Sequence, residues 1–391
     1  MGQAEPVGPV RAGASIPMKA IEQNRGLAFV SHLPLDIASG GGVYARAVFD
    51  MLESCWPGGK VRFVGPAKNV RPSRVLSVLR ALVSARPSKV VFAERSGLAD
   101  APSKFQIGPD DVICLNSPDT FPLLERNWPD APFFLVCHNI EADLFREQVA
   151  RLPFPARLLL SSDARRYAEI EDRAFRNARL IVTISDSEAE GLRTRFPAAI
   201  VIHIPPVFES APPVASRPAG AETINLGFVG RMSWWPNREA VDWLKNVLSP
   251  VPAGREVHFY GVGTEDLNDP EGGWIGHGFM EDGDAMWNSM HVALCPMVSG
   301  GGANIKLVEA LARGVPVLTT SFGMRGLGLP LHDRPGLRIL DGSDDWRAFV
   351  EGDGIRRLSE ETADPEIAAH FSAARHSARL LEAMDKVGLM Q

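Results

Sequence analysis

The chain has 391 residues, 45% of them hydrophobic and 23% charged, with a formal net charge of -6 at pH 7. This is ordinary globular composition in a chain too long for one core, so two domains are expected. The mild charge gives no footing for nucleic acid as a partner, and no apolar run approaches a membrane span in length.

Residues 1–24 are rich in Gly, Ala and Pro, contain Glu5 and hold no sustained apolar stretch. They read as a disordered leader rather than a signal peptide. From Gly26 onward short apolar runs alternate with longer amphipathic stretches. Leu27 to Ser31, Val61 to Val64, Lys89 to Ala93, Val112 to Asn116, Phe133 to His138 and Leu180 to Ser185 read as buried strands. A Gly-rich turn, Ser39 to Gly42, follows the first strand and leads into a helix from Val43 to Leu52. Strands alternating with helices predict a parallel sheet covered on both faces.

The segment Phe208 to Glu222 is dense in Pro, Ala and Ser and lacks periodicity, so it reads as linker. The alternation then resumes. Ile224 to Val229, Glu256 to Gly261, Trp274 to Gly278, Val292 to Pro296 and Pro316 to Thr319 read as strands. Asn237 to Leu248, Asn304 to Arg313 and Pro365 to Lys386 read as helices. The organisation expected is a first domain over 25–208, a linker over 209–222, a second domain over 223–364 and a C-terminal helix over 365–391. The fold class is α/β: two tandem doubly wound, Rossmann-like domains facing a cleft, with ligands at the C-terminal ends of the strands.

Charge divides along the same boundary. Up to Phe208 there are 25 Lys and Arg against 22 Asp and Glu; beyond it there are 16 against 25. The first domain either faces something anionic or reflects drift in surface charge. The four cysteines, Cys55, Cys114, Cys137 and Cys295, have no zinc-site or CxxC spacing. They read as free thiols in buried strands, which points to a reducing, cytoplasmic compartment.

The strongest chemical signal is Ser299-Gly300-Gly301-Gly302-Ala303-Asn304-Ile305-Lys306-Leu307-Val308-Glu309. A buried strand ends at Pro296, three glycines follow and a helix begins. Glycines let backbone amides approach a ligand, and a helix start presents unpaired N–H groups with partial positive charge. Together they suit a diphosphate. Lys306 adds a full charge one turn in, and Glu309 lies on the same face, where a carboxylate can accept two ribose hydroxyls. The second signal is Arg231, just past the strand Asn225 to Val229 and ahead of Ser233-Trp234-Trp235-Pro236-Asn237. An arginine there is a fork for phosphate oxygens.

With these pieces in order, the second half resembles the donor domain of glycosyltransferase family 4, also called glycosyl transferases group 1. The matching segments run from Leu226 to Gly328: GFVGRMSWWPNREAVDWL, VHFYGVG, WIGHGF, VALCPMVSGGGANIKLVEALARGVPVLTT and SFGMRGL. The resemblance implies a GT-B fold and a nucleoside-diphosphate sugar as donor substrate, with no separate cofactor. It implies Arg231 and Lys306 on the diphosphate, Glu309 on the ribose and the base near Gly278, Phe279 and Met280. It implies transfer with retention and no metal ion in the site. It also places His138, at the end of the strand Phe133 to Cys137, near the donor sugar; the alternative, a strand-end histidine capped by backbone, is the less favoured reading. The family often carries an acidic residue eight positions before the ribose carboxylate. That position here is Gly301, in a GGG-type loop, which leaves open how the sugar ring is held.

Gly41 and Gly42, at the start of the first long helix, either approach the ligand across the cleft or make a tight strand-to-helix turn. Thr183 to Glu188 reads as a helix N-cap lining the cleft. Asp282-Gly283-Asp284 reads as structural rather than metal-binding. Residues 71–89 carry five basic residues, no acidic ones and a broad apolar face. Such a helix either touches an anionic membrane or packs on its own sheet, the commoner use. The activity implied is hexosyl transfer to a glycan, lipid-linked or small-molecule acceptor in cell-surface polysaccharide or glycoconjugate synthesis. The alternatives are an epimerase or hydrolase on the same fold, or a silent partner protein.

Overall fold

A computed structural model describes residues 25–35, 40–57, 60–67, 70, 72–100, 105–108, 110–208, 222–330 and 332–390. The leader, Ser39, Arg71 and all but Glu222 of the linker lie outside the described residues.

The first half runs β1 (Leu27–Val30), α1 (Gly40–Cys55), β2 (Val61–Val64), α2 (Arg74–Ser84), α3 (Ser88–Arg95) and β3 (Val112–Leu115). It continues with α4 (Phe121–Asn127), β4 (Phe133–Cys137), α5 (Glu141–Ala150), α6 (Phe154–Asn177), β5 (Leu180–Thr183), α7 (Asp186–Arg195) and β6 (Val201–His203). The strands form one parallel sheet in the order β2-β1-β3-β4-β5-β6. Side chains alternate across it. Leu27, Phe29, Cys114, Phe134 and Val182 enter one core; Ala28, Val30, Ile113, Leu135 and Ile181 enter another. Both faces are therefore dry, which is why these strands read as continuous apolar runs.

The second half runs β7 (Ile224–Val229), α8 (Trp235–Leu248), β8 (Arg255–Tyr260), β9 (Trp274–Gly278), α9 (Gly283–Asn288) and β10 (Val292–Cys295). Then come α10 (Ile305–Ala312), β11 (Val317–Thr319), β12 (Leu337–Ile339), α11 (Ser343–Glu351) and α12 (Asp353–Glu360). Its parallel sheet has the order β12-β11-β10-β7-β8-β9. This is the doubly wound arrangement, with its switch point between β7 and β10. The two sheets give the GT-B architecture.

The chain ends in α13 (Pro365–His370) and α14 (Ala373–Lys386), where one continuous helix was expected. The break is at Phe371 and Ser372, whose backbone pairs with Phe208: Phe208 N donates to Phe371 O at 3.0 Å and Ala373 N to Phe208 O at 2.9 Å. Beyond the break, Leu380, Ala383 and Met384 pack into the core beneath the first sheet.

Three expectations are corrected. Lys89 to Ala93 is helical, within α3, and the sheet's sixth strand is β6 instead. The helix lets Lys89 turn inward onto Glu141 and between the rings of Phe145 and Tyr167. Cys55 is the half-buried last residue of α1 rather than a strand residue, whereas Cys114, Cys137 and Cys295 are buried strand thiols as expected. Finally, α2 does not bury its apolar side: only Ser77 and Ala81 face inward.

Candidate active site

At the switch point of the second sheet, β7 leads to Gly230 and Arg231, and β10 leads to the loop Gly300 to Gly302 and into α10. Lys306 lies in the first turn of α10. Its Nζ donates to Asn237 Oδ1 at 2.9 Å and sits 4.2 Å from the centre of the Phe228 ring. The Asn237 amide in turn donates from Nδ2 to Arg231 O at 3.0 Å. One asparagine therefore fixes the lysine against the turn that carries the arginine. Burial pushes the Lys306 ammonium down to about 8, only partly offset by the nearby Cys295 thiol. Asn304 is the N-cap residue of α10, and its Nδ2 is buried with no acceptor among the described residues. Ala303 packs against cores of both halves.

Glu309, one turn beyond Lys306, is held through one oxygen. Trp287 Nε1 donates to Glu309 Oε1 at 3.0 Å and Arg313 Nε to the same atom at 3.2 Å. Glu309 Oε2 has no protein donor among the described residues. Arg313 also binds Asp284 at 2.6 Å, and Asp282 Oδ1 accepts from Ala285 N at 2.9 Å as the cap of α9. The Asp-Gly-Asp motif is thus structural. Phe279, just past β9, is exposed.

Across the cleft His138 immediately follows β4. The His138 ring meets Tyr44 edge-on at 5.2 Å, and Nε2 lies 3.0 Å from Asn116 Oδ1. The hydrogen-bond network fixes its tautomer. Asn116 Nδ2 donates to Ser31 Oγ at 3.2 Å, so Asn116 Oδ1 must accept, and His138 carries its proton on Nε2. Burial pushes the imidazole down to about 4, so it is neutral near pH 7. Its Nδ1 lone pair is turned toward Gly41: a methyl group on Gly41 would lie 3.7 Å from Nδ1. Gly40, not Val43, opens α1 and faces Ile305 of α10, while Gly42 is buried.

The glycine loop rests on the first half. A Cβ on Gly302 would lie 2.4 Å from His138 O, and one on Gly301 3.0 Å from Asn139 Oδ1. Glu188, in the first turn of α7, accepts from both halves: from Ile140 N and from Gly302 N, each at 3.2 Å. Arg325 Nη2 donates to Gly301 O at 2.8 Å and its guanidinium stacks 3.9 Å over Phe322. Glu188, Arg325 and Gly300 to Gly302, with Asp143, Glu147 and Ser187, line a cavity of about 180 Å³ beside the loop. Burial pushes the Glu188 carboxyl up to about 7. At the cleft's rim Arg151 stacks 3.8 Å over Trp235 and pairs with Glu239 at 2.7 Å.

The structure brings Arg231, Lys306, Asn304, Glu309 and the three loop glycines to one switch point and sets His138 and Gly41 against them. The sequence assigned no role to Asn237, Asn116 or Arg325, and it placed Glu188 only in a helix N-cap lining the cleft. Asn237 lay inside the quoted stretch SWWPN, and its position at the head of a helix beside Arg231 was the available signal.

Residues 223–352 match the family model described as glycosyl transferases group 1. The protein is a glycosyltransferase. No curated protein sequence matches the chain. Among solved structures, sucrose-phosphate synthase from Thermosynechococcus elongatus superposes with a TM-score of 0.64 at 14% identity, covering 94% of this chain and 100% of that one. The lipopolysaccharide outer core galactosyltransferase WaaB, in its apo form, gives a TM-score of 0.60 at 14% identity over 92% and 99%. HepE from Anabaena, solved with UDP and glucose, gives 0.54 at 12% identity over 93% and 100%. At these identities the likeness is one of fold, and it spans both halves of the glycosyltransferase.

Proposed function

We propose that this glycosyltransferase moves a hexose-type sugar, with retention, from a nucleoside-diphosphate donor to a glycan, lipid-linked or small-molecule acceptor. The observation that carries the reading is the convergence of Arg231, the Gly300–Gly301 stretch of the loop and the Asn237-held Lys306 on one switch point, with the Gly302 amide already bonded to Glu188. The group that suits this arrangement is a diphosphate, and HepE's complex with UDP makes uridine the first nucleotide to test. Glu309 Oε2 receives the ribose hydroxyls while Trp287 and Arg313 hold the other oxygen. Phe279 and its neighbours meet the base.

In the transfer the bond from the anomeric carbon to the diphosphate oxygen breaks, and a bond to the acceptor hydroxyl forms on the same face. The acceptor proton passes to the departing phosphate oxygen, so no strong protein base is required. Lys306, Arg231 and the amides of Gly300 and Gly301 stabilise the growing charge, a preorganised electrostatic contribution that is usually the largest in such catalysis. Neutral His138 accepts a sugar hydroxyl at Nδ1 and cannot place a cation beside the anomeric centre. The buried, unbridged thiols fit a reducing cytoplasmic setting, with the acceptor side peripheral at the inner membrane face and the product a cell-surface polysaccharide or glycoconjugate.

The test is a panel of nucleotide sugars titrated by calorimetry, followed by product detection with glycan and lipid-linked acceptors. Binding of one sugar nucleotide, lost in Lys306→Ala and Glu309→Ala, with a glycosylated product, is the expected result. No binding by any sugar nucleotide or by UDP overturns the donor site.

A further inference from the structure

Helix α2 turns its apolar side to solvent. Leu79 is 53% exposed and Val83 91%, with Val75 and Leu76 also exposed. The first turns of α6 repeat the pattern, with Phe154 67% and Leu158 68% exposed and Leu159 beside them. Single exposed apolar residues need no explanation, but a cluster does. These seven make up more than half of the large exposed hydrophobic side chains among the described residues. The chain just past α2 is tied to α6: Ser88, the first residue of α3, donates from N and Oγ to Asp163 at 2.9 and 2.5 Å.

The charges on these two stretches have one sign. Arg74 and Arg80 on α2, and Arg157 and Arg165 on α6, are all exposed. No acidic residue occurs in 72–93 or 151–162, and Asp163 is buried in its bonds to Ser88. Apolar side chains ringed by long arginines that can reach outward are the pattern of a face lying in the headgroup region of an anionic bilayer. No helix among the described residues is long and apolar enough to cross one. Resting on the peripheral membrane placement proposed above, we propose that α2 and the first turns of α6 form a single docking face that seats the first half of the enzyme on an anionic lipid surface. The face is larger than the 71–89 segment visible in the sequence. It also lies beside the cleft: α6 follows α5, which starts three residues after His138 and is followed by Arg151 against Trp235. A lipid-borne hydroxyl would then arrive at the acceptor side without leaving the membrane.

The test is flotation of the full chain with phosphatidylcholine vesicles, with and without phosphatidylglycerol, a readout that does not depend on sugar transfer. The wild type is expected to float with the anionic vesicles and only weakly with the neutral ones, and to release in high salt. Leu79→Asp/Val83→Asp on α2 and Phe154→Asp/Leu158→Asp on α6 are each expected to cut the bound fraction about tenfold or more. Both pairs change exposed side chains, and unchanged melting temperatures confirm that they fold. Arg80→Glu/Arg157→Glu is expected to abolish the preference for anionic vesicles. Wild-type protein that floats with neither vesicle overturns the proposal. So does an α6 pair that floats like wild type, which would reduce the face to one helix, and so does a solution dimer that the same aspartates dissociate, which would make a second copy the occupant.

Discussion

Asn237 Oδ1 accepts the Lys306 ammonium at 2.9 Å, and the same amide holds the carbonyl of Arg231. The cation proposed to bind the diphosphate is therefore positioned by a residue from another helix, not by α10 alone. Asn237→Ala leaves Lys306 buried near Phe228 without its acceptor. Hydrogen bonds to charged groups contribute about 1.5–3 kcal/mol, so donor KM is expected to rise about tenfold or more under that principle, with a smaller loss of kcat. Lys306→Ala should instead lower kcat by about 100-fold or more, as loss of a charge-stabilising group does. Steady-state kinetics with the identified donor separates the two, and an unchanged KM in Asn237→Ala removes the positioning role.

The depressed Lys306 ammonium sets a pH limit on donor binding. Lys306 is charged below about 8 and loses its proton above it. The affinity for UDP should fall as pH rises through this value, and the Lys306→Ala variant should lack that fall. Bound diphosphate favours the charged form, so the midpoint should move upward in the complex. Calorimetric titrations from pH 6.5 to about 9.5 span the range on either side of the shifted group.

Asn116 fixes the tautomer of His138, and this gives a prediction that differs from simple removal of the ring. Asn116→Asp places a carboxylate against Nε2–H, which raises the imidazole from about 4 toward its ordinary range. Activity should then decline on the acid side as His138 protonates and Nδ1 ceases to accept. His138→Ala should lower activity at every pH without a new acid limb. NMR titration of the imidazole in Asn116→Asp measures the shift directly.

Two buried carboxyls should make folding stability fall as pH rises. Burial raises Glu188 to about 7 and Glu171 to about 8. Each native group binds its proton more tightly than the unfolded chain does. The contribution of these two groups to stability is therefore largest below the ordinary carboxylate range and declines as pH climbs through the interval up to these values. Glu188→Gln keeps acceptors for Ile140 N and Gly302 N but removes the buried charge. It should raise Tm at pH 8 and flatten the slope between about pH 4.5 and 7. Thermal melts across that range test it; an unchanged slope would show that Glu188 titrates normally.

How much of this was legible varies with how local the cause is. The glycine loop, Lys306 and Glu309 announce themselves because their chemistry is written in consecutive residues at a strand-to-helix junction. The strands around Leu27, Phe134 and Leu226 were equally plain, since a sheet buried on both faces needs unbroken apolar runs. Val90, Val91 and Phe92 made the same pattern in a helix, and a short apolar run does not decide between the two. β6 and β12 are short and carry His203 and Arg338, so they do not make unbroken apolar runs. Glu188, Arg325 and Asn116 acquire their roles only from partners far away in the chain, so no local pattern marks them. For α2 the sequence showed the apolar face correctly; which way it turned was decided by the small inward residues Ser77 and Ala81.

The missing acid at position 301 has a steric explanation, and it leads to the sharpest mutational forecast. A Cβ at Gly301 would lie 3.0 Å from Asn139 Oδ1, and Asn139 is held by donating to Glu141 at 2.8 Å. Glu141 is itself anchored by Lys89. A side chain at 301 therefore pushes on a braced residue, not a loose one. Gly301→Glu, although it restores the residue type common in the family, should lower transfer instead of improving it. Gly302→Ala should be worse, because its φ of +63° is unfavourable for alanine and the new methyl would meet His138 O at 2.4 Å. Strain of this kind costs about 1–3 kcal/mol, enough to lower Tm by several degrees as well. Pairing Gly301→Glu with Asn139→Ala, which removes the obstructing amide, separates the two explanations. Recovery in the double variant means that space alone excluded the acid. Continued loss means that the donor sugar is held in a way that has no place for a carboxylate there.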